Sequence, residues 1–327
     1  MKTLQPKPVA SYLAAVPDAM KDEPLSGHTT LRIGGLAKLF VVAGTNDELI
    51  AAVEAAKRLD IPWVILGGGS NTLVSDDGFE GVVIMAGNRK IVIDGTCIVA
   101  DAGAFTVTVA RQAAEAGLLG FAWGATVPGT IGGATVGNAG CFGGEMKDIL
   151  TTVEAYDVTA SKRLTLANDA CGFAYRESRF KREPLLVLSV TLALKAGNAE
   201  AAQKEIETMV SKRKSSQPLG EASAGCMFKN FEYTDASALD ILKRHVDEVP
   251  SDMLAKKRIP AGWLIDRLGL KGMSVGKTAV SGTHANFIVV QNGARAQDVI
   301  ALTSMVKMKV RDDLGILLED ELRLIGF

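Results

Sequence analysis

The sequence predicts a protein of mixed helices and strands with two or three domains. The chain has 327 residues, a length that usually divides into two or three domains with buried cores. Segments with helical apolar spacing are interspersed with short apolar or alternating segments that are typical of strands. A third observation is the segment 124–144 (GATVPGTIGGATVGNAGCFGG), which contains eight glycines. Glycine loses more conformational entropy on folding than any other residue, so this many glycines are unfavourable unless the structure requires main chain without side chains. We therefore expect this segment either to lie against a flat or phosphate-bearing ligand, or to form a hinge or a tight crossing.

The composition is that of a soluble globular protein, with 47% hydrophobic and 22% charged residues. A net charge of −1 with scattered basic residues argues against a nucleic-acid partner. The apolar runs 185–188 and 190–194 are too short to span a membrane. Four cysteines without a CxxC pair or a metal-ligand grouping indicate free thiols, no metal site and a cytoplasmic location. The first residues are interpreted as a short helix or arm rather than a signal peptide, and no obligate protein partner is implied.

The first third of the chain carries two clear signals. Residues 45–48 (TNDE) form a capping box before apolar residues at helical spacing, so a helix is expected there that ends before Pro62. A short buried strand, 63–66, then runs into 67–71 (GGGSN). A Rossmann loop would have Gly or Ala at the position of Thr72 and a helix next. A dinucleotide could therefore bind here, but not in the Rossmann manner.

The remaining elements are predicted from periodicity and turn residues. The expected strands are 82–85, 91–99, 102–103, 152–158, 163–167, 185–194, 286–290 and 316–325. The expected helices are 106–116, 199–212, 236–247, 261–268 and 296–312. The basic, serine-rich stretch 212–218 marks a plausible domain boundary. Glu319 and Glu321 alternate to the same face of the last strand, so periodicity cannot distinguish them.

Nine sequence blocks follow one another from residue 28 to the C-terminus. They are 28–35 (HTTLRIGG), 66–71 (LGGGSN), 127–133 (VPGTIGG) with 138–140 (NAG), 175–178 (YRES), 225–230 (GCMFKN), 261–265 (AGWLI), 270–272 (LKG), 284–287 (HANF) and 318–321 (LEDE). Together they resemble the UDP-N-acetylenolpyruvoylglucosamine reductase family of flavin enzymes. One glycine loop would be weak evidence, but nine ordered blocks that include polar residues are specific.

The resemblance implies a flavin-binding fold of the vanillyl-alcohol-oxidase type. It would consist of two α+β subdomains, 1–85 and 86–213, and an α+β substrate domain, 214–315; the last strand, about 316–327, could return to the first subdomain. FAD would be bound non-covalently, with its pyrophosphate on the main chain of 67–71 and 127–133. The implied cofactor-binding residues are Arg32, Gly67, Gly68, Gly69, Ser70, Asn71, Gly124, Pro128, Gly129, Thr130, Gly132, Gly133, Asn138 and Gly140.

The resemblance also implies a reaction, in which NADPH reduces the flavin and an enolpyruvyl ether of a nucleotide sugar is then reduced. Arg176 would support the substrate carboxylate, since a guanidinium can grip two oxygens. Glu321 would assist as an acid, and Cys226 would protonate the carbanion-like carbon. Most of the family has serine in place of Cys226. A thiol, with an ordinary pKa of about 8.5, is a better acid than an alcohol.

Each of these residues also has a structural interpretation that the sequence leaves open. Arg176 could form a surface ion pair with Glu177, Glu321 could be a solvated edge carboxylate, and Cys226 could be a small buried hydrophobe. The implied substrate-binding residues are Tyr175, Asn230, Lys271 and His284.

Three departures refine the comparison. The family often has a lysine at the position of Ser216, and Lys214 lies nearby. The interval from Arg176 to Cys226, 226 − 176 = 50 residues, is too short for the tyrosine-bearing loop of one branch, so the other branch is expected. Much of 231–260 looks like a charged insertion.

Two alternative functions remain open. The protein could be another FAD oxidoreductase of the same fold, such as a hydroxy-acid or sugar oxidase, or a non-catalytic flavin-binding protein.

Overall fold

The computed structural model describes residues 6–233, 236–244, 246 and 248–327. They form two compact units, each discontinuous in sequence. Of the described residues, unit 1 comprises those before residue 25 together with 36–69 and 79–215. Unit 2 comprises 25–35, 70–78 and 216–327. The boundary near residue 215 lies in the basic stretch 212–218. The finer division at residue 85 stays a prediction.

The described residues contain helices of one to five turns. In chain order they are α1 (Pro6–Ala15), α2 (Asn46–Arg58), α3 (Thr106–Glu115), α4 (Ile131–Val136), α5 (Met146–Ile149), α6 (Ala199–Ser216), α7 (Ala236–Lys243), α8 (Ser251–Ala255), α9 (Ala261–Arg267) and α10 (Ala296–Leu314). Short 3₁₀ helices cover Leu25–His28, Ala122–Thr126, Asn168–Cys171 and Arg179–Lys181.

The strands are mostly short. In chain order they are β1 (Met20–Pro24), β2 (Leu36–Ala43), β3 (Trp63–Leu66), β4 (Thr72–Val74), β5 (Phe79–Ala86), β6 (Ile91–Asp94), β7 (Cys97–Asp101), β8 (Leu118–Leu119), β9 (Gly140–Cys141), β10 (Gly144–Glu145), β11 (Leu150–Asp157), β12 (Lys162–Ala167), β13 (Leu185–Ala193), β14 (Lys195–Ala196), β15 (Phe231–Glu232), β16 (Arg258–Ile259), β17 (Ser274–Val275), β18 (Thr278–Val280), β19 (Ile288–Val290) and β20 (Arg323–Ile325).

Unit 1 contains two larger sheets, and the two-stranded pairs β9-β10 and β8-β14 also lie in it. The first has the order β1-β2-β5-β3, with parallel pairing of β2 and β3 to the central β5. Helix α2 starts at the predicted capping box, where the Thr45 hydroxyl accepts the Glu48 N–H at 3.2 Å, and its apolar face is buried with this sheet. The second sheet is antiparallel, with the order β12-β11-β13-β7-β6. Its central strand β13 is almost wholly buried, as expected for the longest apolar run.

Unit 2 is built around α10 and a three-stranded antiparallel sheet, β17-β18-β19. Two further pairings complete it: β15 with β16, antiparallel, and β20 with β4, parallel. Asp76 fixes the start of α10, because its carboxylate accepts the main-chain N–H of Ala296 at 2.8 Å and of Gln297 at 3.1 Å. The segment after β4 is thereby tied to the C-terminal helix of this unit.

Four sequence predictions of secondary structure differ from the structure. The expected strand 102–103 is a turn that follows the end of β7 at Asp101. The expected strand 91–99 is a hairpin in itself, with Asp94 paired to Cys97 across a turn at Gly95, whose φ is 57°. The expected strand 316–325 is reduced to β20 (Arg323–Ile325). The expected helix 236–247 is helical as α7 up to Lys243, and residues 245 and 247 lie outside the described residues.

Candidate active site

The two predicted glycine loops of unit 1 touch each other. A Cβ on Gly68 would lie 2.7 Å from the Gly129 Cα, and a Cβ on Gly67 would lie 2.5 Å from the Thr130 Oγ1. Gly129 has a φ of 107°, which side chains rarely adopt. A side chain at position 68 would overlap main chain and force the loops apart, and one at position 67 would displace the Thr130 hydroxyl. The two loops therefore form one contiguous surface.

Some of the main-chain donors of this surface are engaged within the protein. The N–H groups of Ile131 and Gly132 donate to the carbonyls of Ala104 and Ala102, both at 2.8 Å. Among the described residues, no protein acceptor binds the N–H of Gly129 or Thr130. These two donors, at a turn that glycine keeps open, fit a phosphate-bearing cofactor.

Other glycines of 124–144 are required by protein packing rather than by a ligand. A Cβ on Gly124 would collide with the ring of Phe121, and one on Gly144 would collide with the ring of Trp123. A Cβ on Gly140 would collide with the Gly144 carbonyl. The glycine-rich segment is therefore a close crossing of main chain and aromatic rings as well as a ligand surface.

The Asn138 side chain stabilises this segment through three hydrogen bonds. Asn138 is fully buried with a φ of 39°, and its Nδ2 donates to the Glu145 carboxylate at 3.0 Å and to the Ala174 carbonyl at 2.9 Å. Its Oδ1 accepts the Lys147 N–H at 3.0 Å. The side chain is thus committed to the protein, and a cofactor contact at this position would involve the main chain.

Arg176 lies at the tip of a tight turn. Ala174 and Glu177 exchange main-chain hydrogen bonds at 3.0 and 3.1 Å, and Arg176 between them has a left-handed φ of 54°. Its Nη2 donates to the Gly140 carbonyl at 3.0 Å, and its guanidinium lies 5.4 Å from the Tyr175 ring centroid. A non-glycine residue in this conformation is strained and is typical of functional sites.

The turn is anchored on both sides. The buried Ser178 donates its hydroxyl to the Val136 carbonyl at 2.7 Å, and Glu177 forms an ion pair with Lys181 at 3.8 Å. These contacts hold the turn in place. The hydrogen bond to the Gly140 carbonyl then directs the Arg176 guanidinium toward the glycine-rich segment.

Arg213 is a neighbour of this segment that the sequence reasoning missed. It lies near the end of α6 and donates a hydrogen bond to the Thr126 carbonyl. The Thr126 hydroxyl lies 3.3 Å from the Cys141 sulfur. Burial raises the pKa of the Cys141 thiol, against the opposing effects of the Thr126 hydroxyl and of the Arg213 and Arg176 charges. The basic run 212–214 was the only signal for Arg213, and it was interpreted as a domain boundary.

In unit 2, the structure brings the segments of Cys226 and Glu321 together. The Glu321 N–H donates to the carbonyl of Met227, the residue after Cys226, at 2.9 Å. The Glu321 carbonyl accepts the Asn71 Nδ2 at 3.0 Å, and the Asn71 carbonyl accepts the Arg323 N–H at 3.1 Å. Asn71, predicted as a cofactor residue, therefore also fixes the main chain that carries Glu321.

The two candidate carboxylates have different surroundings. Glu319 has a side chain that is 75% exposed and forms an ion pair with Lys229 at 3.3 Å. Glu321 is half-buried. The expected continuous strand through both residues is not formed, because the chain around them pairs with residues 227–229 instead of extending β20. The different burial agrees with the choice of Glu321 from the sequence motif.

The substrate-binding candidates of unit 2 make specific contacts. The Asn230 Oδ1 accepts the Ala261 N–H at 3.1 Å, which places it at the start of α9. Lys271 pairs with Asp266 at 2.9 Å. Burial lowers the pKa of His284, and the Lys271 charge adds to this effect. The fourth candidate, Tyr175, belongs to the Arg176 turn of unit 1.

The remaining predicted residues lie at loop surfaces. Arg32 is exposed, has a φ of 55° and donates its N–H to the Thr29 carbonyl at 3.1 Å. Ser70 is half-buried and Pro128 is exposed. Among the described residues, no group of three or more His, Cys, Asp or Glu could hold a metal ion. In the same residues, every helix is too short or too polar to cross a membrane.

Residues 37–163, which include both glycine loops, match the model described as FAD binding domain. With its mixed helices and sheets, the chain is an FAD-dependent oxidoreductase with an α+β fold, and the predicted fold class and cofactor are confirmed. Residues 217–325 match the model described as UDP-N-acetylenolpyruvoylglucosamine reductase, C-terminal domain.

Relatives that match over more than 90% of this chain are also named UDP-N-acetylenolpyruvoylglucosamine reductase. The UDP-N-acetylenolpyruvoylglucosamine reductase of Caldanaerobacter subterraneus subsp. tengcongensis is 36% identical over 306 residues, 93% of both chains. That of Heliobacterium modesticaldum is 36% identical over 94% of this chain and 90% of its own. The crystal structure of the Thermus caldophilus enzyme has a TM-score of 0.73 at 32% identity, covering 94% of this chain and 98% of its own. The chain belongs to the UDP-N-acetylenolpyruvoylglucosamine reductase family, as its motifs predicted.

Proposed function

We propose that this protein uses NADPH and bound FAD to reduce the enolpyruvyl ether of UDP-N-acetylglucosamine enolpyruvate, which gives UDP-N-acetylmuramate for peptidoglycan. The observation that carries the proposal is the main-chain hydrogen bond from Glu321 to Met227. It holds the two residues proposed for proton delivery, Cys226 and Glu321, on adjacent segments in a chain that belongs to the reductase family. We further propose that the protein acts in the cytoplasm, where its nucleotide-sugar substrate and NADPH are found, without an obligate partner.

The two glycine loops hold the cofactor in this proposal. Gly67 packs against the Thr130 hydroxyl and Gly68 against the Gly129 main chain, and the N–H groups of Gly129 and Thr130 would hold the pyrophosphate. When bound, FAD supplies hydride transfer from NADPH to the substrate's vinyl carbon. The protein's own residues then have to bind the substrate carboxylate, stabilise the charge that develops on it, and deliver one proton.

Arg176 carries the charge-stabilising role. Its turn is fixed at Ser178 and Asn138, so the guanidinium is placed before substrate binds. A positioned cation stabilises developing carboxylate charge more than a mobile one, because no reorganisation accompanies the reaction. Cys226 gives its thiol proton to the carbon next to the carboxylate, and Glu321 polarises the enolate from the adjacent segment. Tyr175, Asn230, Lys271 and His284 are the proposed contacts to the nucleotide sugar.

An anaerobic stopped-flow experiment tests the proposal by following the visible absorbance of the bound flavin. NADPH should bleach it, and UDP-N-acetylglucosamine enolpyruvate should then restore it in a single turnover. A flavin that NADPH never bleaches would instead identify a non-catalytic flavin-binding protein. Reoxidation by oxygen with a sugar or hydroxy acid as reductant, and no response to the enolpyruvyl nucleotide, would identify an oxidase.

A further inference from the structure

Asn286 makes an unusual pair of hydrogen bonds to the segment that contains Cys226. Its side chain is 2% exposed. The Oδ1 accepts the Phe228 N–H at 3.0 Å, and the Nδ2 donates to the Phe228 carbonyl at 2.8 Å. One amide group therefore satisfies both main-chain polar groups of a buried residue. At neutral pH, the amides of Asn and Gln offer an N–H donor and a carbonyl acceptor side by side in this arrangement, and an ionised carboxylate does not.

The main chain of Asn286 continues the same pairing. Its carbonyl accepts the Met227 N–H at 2.8 Å, and Cys226 pairs antiparallel with Phe287. On the other side of the segment, the Lys229 N–H donates to the Glu319 carbonyl at 2.8 Å. Residues 226–229 thus lie between the segment 286–287 on one side and the segment 319–321 on the other. The Asn286 side chain extends the pairing with 286–287 by one residue, to Phe228.

The orientation of Asn286 is itself fixed by the turn that precedes it. The Asn286 N–H donates to the His284 Nδ1 at 3.2 Å, and the Phe287 N–H donates to the His284 carbonyl at 2.9 Å. The Ser281 hydroxyl accepts the Thr283 N–H at 3.1 Å. This network holds the amide in place without help from a ligand, so it can position other groups.

We propose that Asn286 is the positioning residue for Cys226. It sets the main chain at 227–228, and so fixes the direction in which the Cys226 thiol presents its proton. The inference rests on the proposed function, in which Cys226 is the proton donor. It assigns a role to the third residue of the 284–287 motif, of which only His284 was predicted to be functional.

The test measures two half-reactions in the FAD-bound enzyme. Asn286→Ala should leave the rate of flavin bleaching by NADPH unchanged. It should slow flavin reoxidation by the enolpyruvyl nucleotide at least tenfold through kcat, with little change in KM. Thr303→Val is the matched control, since Thr303 is also buried in unit 2 and donates to the Val299 carbonyl, far along the sequence from Cys226. An equal loss in both variants would overturn the inference, because it would reflect general destabilisation.

Asn286→Asp provides a second variant with a readout that a structural role alone would not produce. A protonated carboxyl can accept the Phe228 N–H and donate to the Phe228 carbonyl, as the amide does, whereas a carboxylate can only accept. Activity of this variant should recover as the pH falls, relative to wild type at each pH. The wild-type profile is the reference for this ratio, because His284 and the neighbouring charges of Lys271 and Asp266 are present in both proteins. A variant-to-wild-type ratio that does not change with pH would contradict the inference.

Alkylation of Cys226 separates this inference from the proposed function. With iodoacetamide and peptide mass spectrometry, the exposed Cys97 serves as an internal standard. Asn286→Ala should change the modification rate of Cys226 several-fold relative to Cys97. If Cys226→Ala keeps full reoxidation activity, the proton-donor role fails while the alkylation result still reports on positioning. If Cys226→Ala is slow and Asn286→Ala is normal in reoxidation and alkylation, the role of Asn286 fails and the proposed function stands.

Discussion

The contact between the two glycine loops makes Gly68→Ala an informative substitution. The added Cβ would lie 2.7 Å from the Gly129 Cα and 3.3 Å from the Gly129 carbonyl carbon. Favourable separations between carbon atoms are about 3.5–4.0 Å, so the loops would have to part by about 1 Å. The substitution adds one methyl group to a packed contact made by main chain, which cannot rotate away.

The expected effect follows from this overlap. Adding a carbon to a well-packed site costs about 1–3 kcal/mol, and each 1.4 kcal/mol changes a dissociation constant tenfold. If the cost falls on the cofactor-binding conformation, FAD should bind about 5- to 150-fold more weakly. Titration of the apoprotein with FAD, followed by flavin fluorescence, measures this change.

Gly137→Ala is the matched control from the same glycine-rich segment. Gly137 has a φ of −86°, and its nearest neighbour to an added Cβ is the Gly133 carbonyl at an ordinary 3.5 Å. Its FAD affinity should match that of wild type. A Gly68→Ala protein with wild-type FAD affinity would refute the reasoning, because it would show that contact between the loops does not shape the cofactor surface. Equal weakening in both variants would have the same consequence.

Three further predictions concern side chains of unit 2. Cys226→Ala should leave flavin reduction by NADPH intact and strongly slow reoxidation by substrate, while Cys226→Ser should keep much more activity; equal slowing of both half-reactions in the Ala variant would remove the proton-donor role. Glu321→Gln should slow the same second half-reaction, whereas Glu319→Gln, at an exposed ion pair, should be near normal in stopped-flow assays; the reverse result would show that the wrong carboxylate was chosen. Because the pKa of His284 is lowered by burial, the unfolded chain binds a proton first as the pH falls through its ordinary value of about 6.5. The free energy of unfolding should therefore decrease from about pH 7 toward the lowered pKa, and His284→Gln should flatten that part of the urea-unfolding profile; a variant with the wild-type slope would contradict this.

Local sequence signals predicted those elements whose ends are fixed by neighbouring residues. The capping box predicted α2, since Thr45 and Glu48 lie within one helical turn. The hairpin of β6 and β7 was misassigned, although the Asp94–Gly95 pair is a strong turn signal. The interpretation of 91–99 as one strand overlooked that signal in a run of β-branched residues.

Non-local contacts explain what the sequence could not predict. Residues 316–325 read as one strand by alternation, but Glu321 bonds to Met227 and Asn71, which are distant in sequence. Gly124 and Gly144 are needed to accommodate aromatic rings, a requirement that composition alone cannot separate from ligand binding. Periodicity likewise gave no reason to single out Arg213, because its acceptor is a main-chain carbonyl on another segment.

The family motifs distinguished residues that periodicity left equivalent, and the roles that they imply stay predictions. They selected Glu321 over Glu319, and the structure shows a half-buried carboxylate at the first position and an exposed one at the second. Asn286 lies within the motif 284–287, but the motif implied no role for it. Its hydrogen bonds to Phe228 join residues 58 positions apart, so only the folded chain reveals them.

The discontinuity of unit 2 has a consequence for biosynthesis. β4 pairs with β20, and Asn71 reaches the Glu321 carbonyl across 250 residues of chain. During translation, residues 70–78 leave the ribosome long before β20 has been synthesised. Asn71 and β4 therefore stay unpaired until the C-terminal strand emerges. Loading of the vitamin-derived cofactor should thus be a late event, and a nascent fragment that ends before β20 should not retain it tightly.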